Sequence, residues 1–552
     1  MGLDVSLRHA LSGLGVAQKH MEVVSRNISN TDTPGYTRKV AQQATQVVNG
    51  QSYGVDITGI QRTIDQYLQK EVLRRDSDVT ALSVTESYLK RVEELHGSPT
   101  AETSLASQIS KMRNGFLTLA DSPDSELLQQ KLIDDAQTLA HTFNQLSKTI
   151  TDLRNQAHQE IISAVGELNA NLGIVADLNK NISAASGLNV DQPDLEDKRD
   201  IALREIANLI DVNYYKGGDG AYGISTGDGR FALLEGTKQT VSVANATLQP
   251  SSYYGGAGTV PGIMMTAVPA AQDVTGSLQG GKIGALIELR DETLPKMQAQ
   301  LDELAQELAL RFSMSGVRLF AGADTTIPAD NPVPVTPPSL NTGFAAQIQV
   351  PDLVKNNPRL LRDGTGWNAS PAAYDSAGGH FVALDAGTAL GAAPPTPPSA
   401  GGTDPGPATK GDSSVIRNLL SKVFDTADPV FETSVTAVGP PATYGTTTAT
   451  FENTSLGPDG TIETSLPLGL TLGQTATELV SWQANERARV TNAKTVAEDV
   501  RDHFDQRMSD QSGVNLDEEI SLLVQLQRSY SSAARVITTN REMFSELIQL
   551  VG

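Results

Sequence analysis

Each end of this chain carries an apolar seam of coiled-coil spacing, and that feature restricts the fold more than any other. Leu3, Leu7, Ala10, Leu14, Ala17, Met21, Val24 and Ile28 alternate spacings of four and three without a miss. At the other end Leu523, Leu526, Tyr530, Ala533, Ile537, Asn540, Phe544, Leu547 and Val551 repeat the pattern with one polar member, Asn540, a residue type that fixes register at some cost in stability. Asn515 is placed to cap the second helix with Glu518 three positions on, and Asp517, Glu518 and Glu519 suit the positive end of its dipole. Neither seam has an adjacent globular segment to cover it, so the two are expected to pair with each other or with neighbouring molecules. Pairing within the chain is antiparallel, and everything between becomes an insertion pointing away from a common root.

Proline placement divides that insertion. Residues 1–192 hold only Pro34, Pro99 and Pro123, whereas residues 321–412 hold 14 of the 27 prolines. The first third is therefore free to be helical. Leu105, Ile109, Met112, Phe116 and Leu119 mark a short helix closed by Asp121-Ser122-Pro123; Leu132, Ala136, Leu139, Phe143, Leu146, Ile150, Leu153 and Ala157 begin a seam that Ile161, Leu168, Leu172, Val175 and Leu178 continue. One helix over 125–185 would be about 90 Å long and needs partners, which 285–312 and 474–512 supply. Residues 211–284 alternate β-branched or aromatic residues with Gly and Asp turns, predicting short antiparallel strands, and 430–472 reads as a second β stretch. Gly391 to Gly411 is Pro/Gly-rich and reads as a linker or extended loop. The expectation is a mixed α and β, multidomain chain: a terminal coiled-coil domain (1–55 and 512–552), a helical rod domain (56–210, 285–320 and 412–511, with 430–472 as a β insertion), and an outer β-rich region (211–284 and 321–411).

Composition argues against several functions. With 42 Lys+Arg against 64 Asp+Glu the net charge is −22, unsuited to gripping nucleic acid or an anionic bilayer. The absence of cysteine removes thiolate chemistry and sulfur-based metal sites. No window approaches 18 uninterrupted apolar residues, and the first twenty lack a signal-peptide core, so any export is expected to use another route. Gly223-Ile224-Ser225-Thr226-Gly227 fits a nucleophile elbow and Gly218 to Gly223 fits G-x-G-x-x-G, yet neither precedes a helix, and a Gly-rich hairpin explains both. The histidines never fall at metal-ligand spacing. No enzyme, cofactor or metal site is expected.

The loop after the first seam, Asn30-Thr31-Asp32-Thr33-Pro34-Gly35-Tyr36-Thr37-Arg38, holds a Pro-Gly pair suited to a type II turn. Taken with Ala10-Leu11-Ser12-Gly13-Leu14 and Asn27-Ile28-Ser29-Asn30, it resembles the shared N-terminus of the bacterial flagellar axial proteins, the family of rod, hook and hook-associated proteins. Ser512 to Glu519, Gln527 to Tyr530 and Ala534 to Ile537 are similar to its C-terminus. Asp194 to Asp200 and Gly280 to Asp291 resemble segments of the hook-associated protein 1 family, the first hook–filament junction proteins. The resemblance implies a structural adaptor, exported unfolded through the flagellar type III apparatus to the cell exterior and assembled as a junction layer by self-association. Its implied partners are hook protein, neighbouring hook-associated proteins and an export chaperone on the C-terminal helix. The implied assembly residues are Leu3, Leu7, Leu14, Met21, Val24, Ile28, Leu523, Leu526, Tyr530, Ile537, Asn540, Phe544 and Leu547, with Asn30, Thr33, Pro34, Gly35 and Tyr36 as the family's loop. Two alternatives remain open at this point: another hook or rod protein, and a cytosolic coiled-coil scaffold.

Overall fold

The computed structural model describes residues 2–551 except 49–50, 97–102, 189, 267–269, 329–338, 366–373, 376–379, 382–410 and 434–444. Gly391 to Gly411 thus lies, but for Gly411, outside the described residues. The first helix, α1 (Gly2–Ser29), is followed by a long bulged antiparallel hairpin, β1 (Lys39–Val48) and β2 (Gln51–Arg62). Three helices follow: α2 (Gln66–His96), α3 (Leu105–Asp121) and the 61-residue α4 (Glu126–Ser186). Ser104 and Ser125 cap α3 and α4, accepting from the backbone N–H groups of Ser107 and Leu128. After α5 (Pro193–Leu209) comes a meander of β3 (Val212–Lys216), β4 (Tyr222–Thr226), β5 (Ala232–Glu235) and β6 (Thr237–Lys238). A three-stranded sheet follows, β7 (Val241–Val243), β8 (Ile263–Met265) and β9 (Gln272–Asp273). The chain returns through α6 (Gly281–Glu288), a π turn over Leu289–Thr293, and α7 (Leu294–Met314). Then come α8 (Asp352–Lys355), α9 (Leu360–Asp363), the two-residue strands β10 (Tyr374–Asp375) and β11 (His380–Phe381), α10 (Ser414–Leu419), and the hairpin β12 (Val430–Thr433) with β13 (Gly445–Thr448). The last two helices are α11 (Leu472–Ser512) and α12 (Leu516–Val551).

α4 organises the body. It is long and apolar enough to cross a bilayer by composition alone, but Ala136, Leu139, Phe143, Ala157, Ile161, Leu168 and Val175 are fully buried in the core. Its partners are not only helices. Asn155, Asn169 and Asn179 each clamp one extended residue, accepting from its N–H and donating to its carbonyl: Leu248 at 2.8 and 3.0 Å, Val241 at 3.0 and 2.7 Å, Tyr222 at 2.9 and 2.8 Å. A side-chain amide presents the same donor–acceptor pair as a strand edge, so the helix finishes what the sheets leave unpaired. Deeper still, α7 is enclosed on all sides, with Phe312 meeting Phe116, Phe320 and Phe424 at centroid separations of 5.7, 5.4 and 5.7 Å.

Several expectations need correction. The hairpin Lys39–Arg62 runs through the expected boundary at residue 55 and is β structure within what was expected to be coiled coil and helical rod. The described residues of 321–365, expected in an outer β-rich region, hold short helices and a single bridge, Ala321 with Gln349, and they wrap α7. There Asp302 accepts from the N–H groups of Gly343 and Ala345 at 2.8 and 2.9 Å, and Glu303 accepts from Asn341 Nδ2 at 2.8 Å. Carboxylates on the buried helix thus satisfy loop donors, and a ladder is not needed. Among its described residues the second β stretch, 430–472, contains one hairpin and a bridge between Leu456 and Ile462.

Candidate assembly interface

α1 and α12 pack along each other, and α1 also lies against β2. At their root the chain makes a polar node. Asn27, buried at the last turn of α1, donates through Nδ2 to the Lys39 carbonyl at 2.9 Å and to Glu519 Oε2 at 3.0 Å. Its Oδ1 accepts from the Tyr36 hydroxyl at 3.0 Å and the Lys39 N–H at 3.1 Å. Arg38 completes the link, donating from Nε to Glu519 Oε1 at 2.7 Å and from its backbone N–H to the Ser512 carbonyl at 2.8 Å. One amide therefore ties α1, β1, the loop before it and α12 together, with both amide protons and both carbonyl lone pairs of the Asn27 side chain used. Asn515 caps α12, its Oδ1 accepting from the N–H of Asp517 at 3.0 Å.

The loop folds as its sequence predicts. Thr33 accepts from the Tyr36 N–H at 3.1 Å, and Gly35 at the third position has φ +77°, the geometry of a type II turn. A Cβ on Gly35 would come within 2.6 Å of Ile201, so the turn both requires glycine and seats the loop on α5. Asn30 donates to the Arg26 carbonyl at 2.9 Å and accepts from the Thr33 hydroxyl at 3.2 Å; Pro34 is exposed.

Below the node the hairpin is bolted to the acidic start of α5. Lys39 Nζ meets Asp194 and Asp197 at 2.6 and 3.0 Å and lies 3.6 Å over the Tyr36 ring. Arg62 meets Glu196, Asp197 and Asp200 at 3.1, 3.4 and 2.5 Å, and the Thr37 hydroxyl donates to Asp197 at 2.6 Å. Burial opposes the charge on Lys39, yet Asp194 and Asp197 more than offset it and hold its pKa above the ordinary lysine value. Burial likewise works to raise Glu196, but Arg62 and Lys216 win and hold it low; for Asp200 burial wins and its pKa is raised. The other internal segment, Gly280 to Asp291, packs at the far end of α5: Gly281 has φ +54°, and a Cβ there would lie 2.4 Å from the Leu209 carbonyl carbon.

Along the terminal pair, the seam residues fall into three groups. Val24 and Asn540 are buried, 3% and 4% exposed, and Asn540 Nδ2 donates to Ser6 Oγ at 2.6 Å. Leu7, Leu14, Met21, Ile28, Leu523, Leu526, Tyr530 and Ile537 are half-buried. Phe544 and Leu547, at 38% and 45%, stay exposed, and the side chain of Leu3 lies outside the described residues. Further apolar side chains flank the seam in the open: Val5 and Leu11 on α1, and Ile520, Val524, Val536 and Ile548 on α12. Asn27, Arg38, Lys39, Arg62, Asp197 and Glu519 were not expected as site residues. They sit inside or beside the motif runs, but an apolar-seam criterion passes over polar positions.

Three family models match the chain: the flagellar hook-associated protein FlgK helical domain over residues 89–315, the flagellar basal body rod FlgEFG protein C-terminal region over 505–550, and the flagella basal body rod protein over 7–37. The terminal matches take in most of both seams and, of the node, Asn27, Tyr36 and Glu519. Flagellar hook-associated protein 1 of Salmonella typhimurium is 22% identical over a 571-residue alignment that spans 99% of both chains. Over its whole length the chain is similar to flagellar hook-associated protein 1. Its namesakes in Escherichia coli and Bacillus subtilis are 23% identical over 56% and 24% identical over 57% of this chain. The flagellar hook junction protein FlgK from Burkholderia pseudomallei shares the fold, with a TM-score of 0.54 at 16% identity, covering 79% of this chain and 99% of its own. The helical-domain match of this hook-associated protein 1 relative ends at residue 315, one residue past α7, and so stops before the segment that wraps it.

Proposed function

We propose that this chain is the structural adaptor that joins hook to filament in the bacterial flagellum. It reaches the exterior by type III export and assembles with copies of itself, through its paired terminal helices, into a layer between hook protein and the neighbouring hook-associated proteins. The terminal pair carries this reading. It is fixed to the body by a buried polar node, yet it leaves Phe544, Leu547, Ile548, Val536 and Val524 exposed. Apolar surface held in the open on a narrow helical pair is what docking neighbours would cover. The assembly residues of the two seams, together with the loop Asn30 to Tyr36, form the interface in this reading, and the exposed apolar residues of α12 also suit an export chaperone. A division into terminal pair, helical rod and outer region follows, with the hairpin Lys39–Arg62 as the bracket between the first two.

The test is placement and loss. Labelled protein should decorate a single band between hook and filament in the source bacterium, and cells lacking the gene should complete hooks but shed filament subunits into the medium. Label found only in the cytosol, with normal filaments in the deletion strain, would leave the scaffold alternative standing.

A further inference from the structure

Two polar contacts between α1 and α12, among the described residues, share one arithmetic. Ser6 bonds Asn540 and Asn27 bonds Glu519; 6 + 540 and 27 + 519 both equal 546, and the contacts are 21 residues, three heptads, apart on each helix. We infer that these two contacts form a register lock for the terminal pair, positioning Asn540 and Glu519 against an apolar seam that cannot set its own register.

The seam is degenerate because it repeats. With positions summing to about 546 opposite one another, Ala10 faces Ile537, Leu14 faces Ala533, Ala17 faces Tyr530 and Met21 faces Leu526. A slip of one heptad leaves apolar facing apolar almost throughout: Leu7 on Leu547, Ala10 on Phe544, Ala17 on Ile537, Met21 on Ala533, Val24 on Tyr530 and Ile28 on Leu526. Non-directional burial distinguishes the two registers weakly. The polar residues distinguish them strongly. In the slipped register Asn540 comes opposite Gly13, which has no side chain, Ser6 comes opposite Leu547, and Asn27 comes opposite Leu526. Asn540 then loses the Ser6 hydroxyl, and Asn27 loses Glu519 while keeping Lys39 and Tyr36, losses that together disfavour the slip by about tenfold or more. The opposite slip drives Glu519 onto Met21 and leaves Asn540 past the start of the chain. Polar groups on an apolar seam select among registers in this way because each tolerates only one opposite neighbour.

The lock deepens the assembly reading and rests on it for its purpose: one heptad is about 10 Å of axial travel, enough to place a neighbour's contacts at the wrong height. The chain has no cysteine, so engineered pairs report register cleanly. The pair Ala10→Cys with Ile537→Cys reports the native register and Ala10→Cys with Phe544→Cys the slipped one, since a disulfide needs Cα atoms within about 7 Å. In the otherwise native, isolated full-length chain only the first pair should oxidise. Moving the lock by one heptad, with Asn540→Leu, Leu547→Asn, Glu519→Leu and Leu526→Glu, should transfer oxidation to the second pair. Deleting it, with Asn540→Leu and Glu519→Leu alone, should let both pairs oxidise at comparable rates. Exclusive oxidation of the first pair in both backgrounds overturns the proposal. So does the absence of oxidation in both while circular dichroism shows the body intact, because the seam would then not form a pair without its polar residues. Register is read on the free chain, whereas the junction role is read in cells, so either can fail alone.

Discussion

α4 and the terminal pair are written in the same apolar periodicity, and the structure treats them oppositely. Along α4 the seam residues from Leu132 to Val175 are buried, covered by α3, α5, α7 and both sheets. Along α1 and α12 the seam is half-buried, and a further set of apolar residues faces outward. Periodicity specifies a helix and its apolar face; what covers that face depends on chain elsewhere. α4 gains its cover because 193–320 folds back onto it, with asparagine side chains completing the sheets. Once β2 has packed on one side of α1, the two terminal helices have each other, and the rest of their apolar surface stays in the open.

The largest effect follows from placing a carboxylate on each terminal seam. In Leu14→Asp and Leu526→Asp variants the free chain should melt as the parent does, because the transition is set by the α4 core and the half-buried pair opens locally at little cost. Docking would then bury an unpaired carboxylate, costing several kcal/mol in every subunit of a layer. The expected outcome is a stable exported protein that fails to build the junction, seen as filament subunits lost to the medium, while Lys19→Asp on the exposed side assembles far better. Normal junctions in both seam variants would erase the functional half of the contrast.

Truncating the other seam should act in the reverse sense. Phe143→Ala removes a ring that is fully buried on α4 and should cost about 3–5 kcal/mol in urea unfolding. Leu526→Ala in the free chain should cost about 1 kcal/mol or less, since half of that side chain is already in water. Equal losses would mean that the terminal pair belongs to the same cooperative unit as the body.

A smaller effect concerns how the enclosed α7 manages charge. Burial pushes the Asp302 pKa up to about 7, against the pull of the Gly343 and Ala345 N–H groups and Gln298. A carboxyl whose folded pKa lies above its unfolded value of 3.8 binds a proton more tightly in the native state, so its contribution is fully present below the unfolded value and is lost as pH rises through about 7. Thermal midpoints of the parent should therefore fall between about pH 5 and about pH 8 by more than those of Asp302→Asn, which keeps the acceptor and does not titrate. Parallel curves would show that the hydrogen bonds, not burial, govern this group. The terminal pair, whose flanks are open to solvent, should add little to that slope.

Much of this contrast was legible in the sequence, and the losses have physical causes. The long helix was expected over 125–185 and runs Glu126–Ser186, the type II turn at Pro34-Gly35 and the Asn515 cap formed as read, and short antiparallel strands fall within 211–284. Each of these is decided by neighbours in sequence. The hairpin β1–β2 was missed although Asn49-Gly50 stands between two alternating runs, a strong local hairpin signal. α2 was not singled out because its buried face includes Gln69, Asp76 and Ser77, which break an apolar stripe. Asp76 is held by Arg204, which also reaches Asp505 of α11. The node at Asn27, the clamps of Asn155, Asn169 and Asn179, and the carboxylates of α7 were illegible for one reason. A polar side chain is buried at a profit only where a distant backbone brings it a partner, and no local pattern encodes that partner.

The smallest effect expected anywhere in the chain is at the Pro/Gly-rich segment Gly391 to Gly411, at the opposite extreme from α4. Its composition offers almost no side chain that would contribute to a core, whereas α4 offers one at nearly every third or fourth position. One end is anchored, since the Gly411 N–H donates to Asp124 at 2.9 Å, so a shortened loop would still be tied where it rejoins the body. Removing about ten residues between 392 and 408 changes only the entropy of closing the loop, which scales with the logarithm of its length and amounts to about 0.6 kcal/mol for a halving. The thermal midpoint should move by about 2 °C or less, upward if anything, because a shorter loop has less freedom to lose on folding. Phe143→Ala, by contrast, removes a few carbon atoms and should lower the midpoint by many degrees. A fall of several degrees on shortening the loop would mean that it packs against the body, and the line drawn here between segments that build the core and segments that merely connect it would have to be moved.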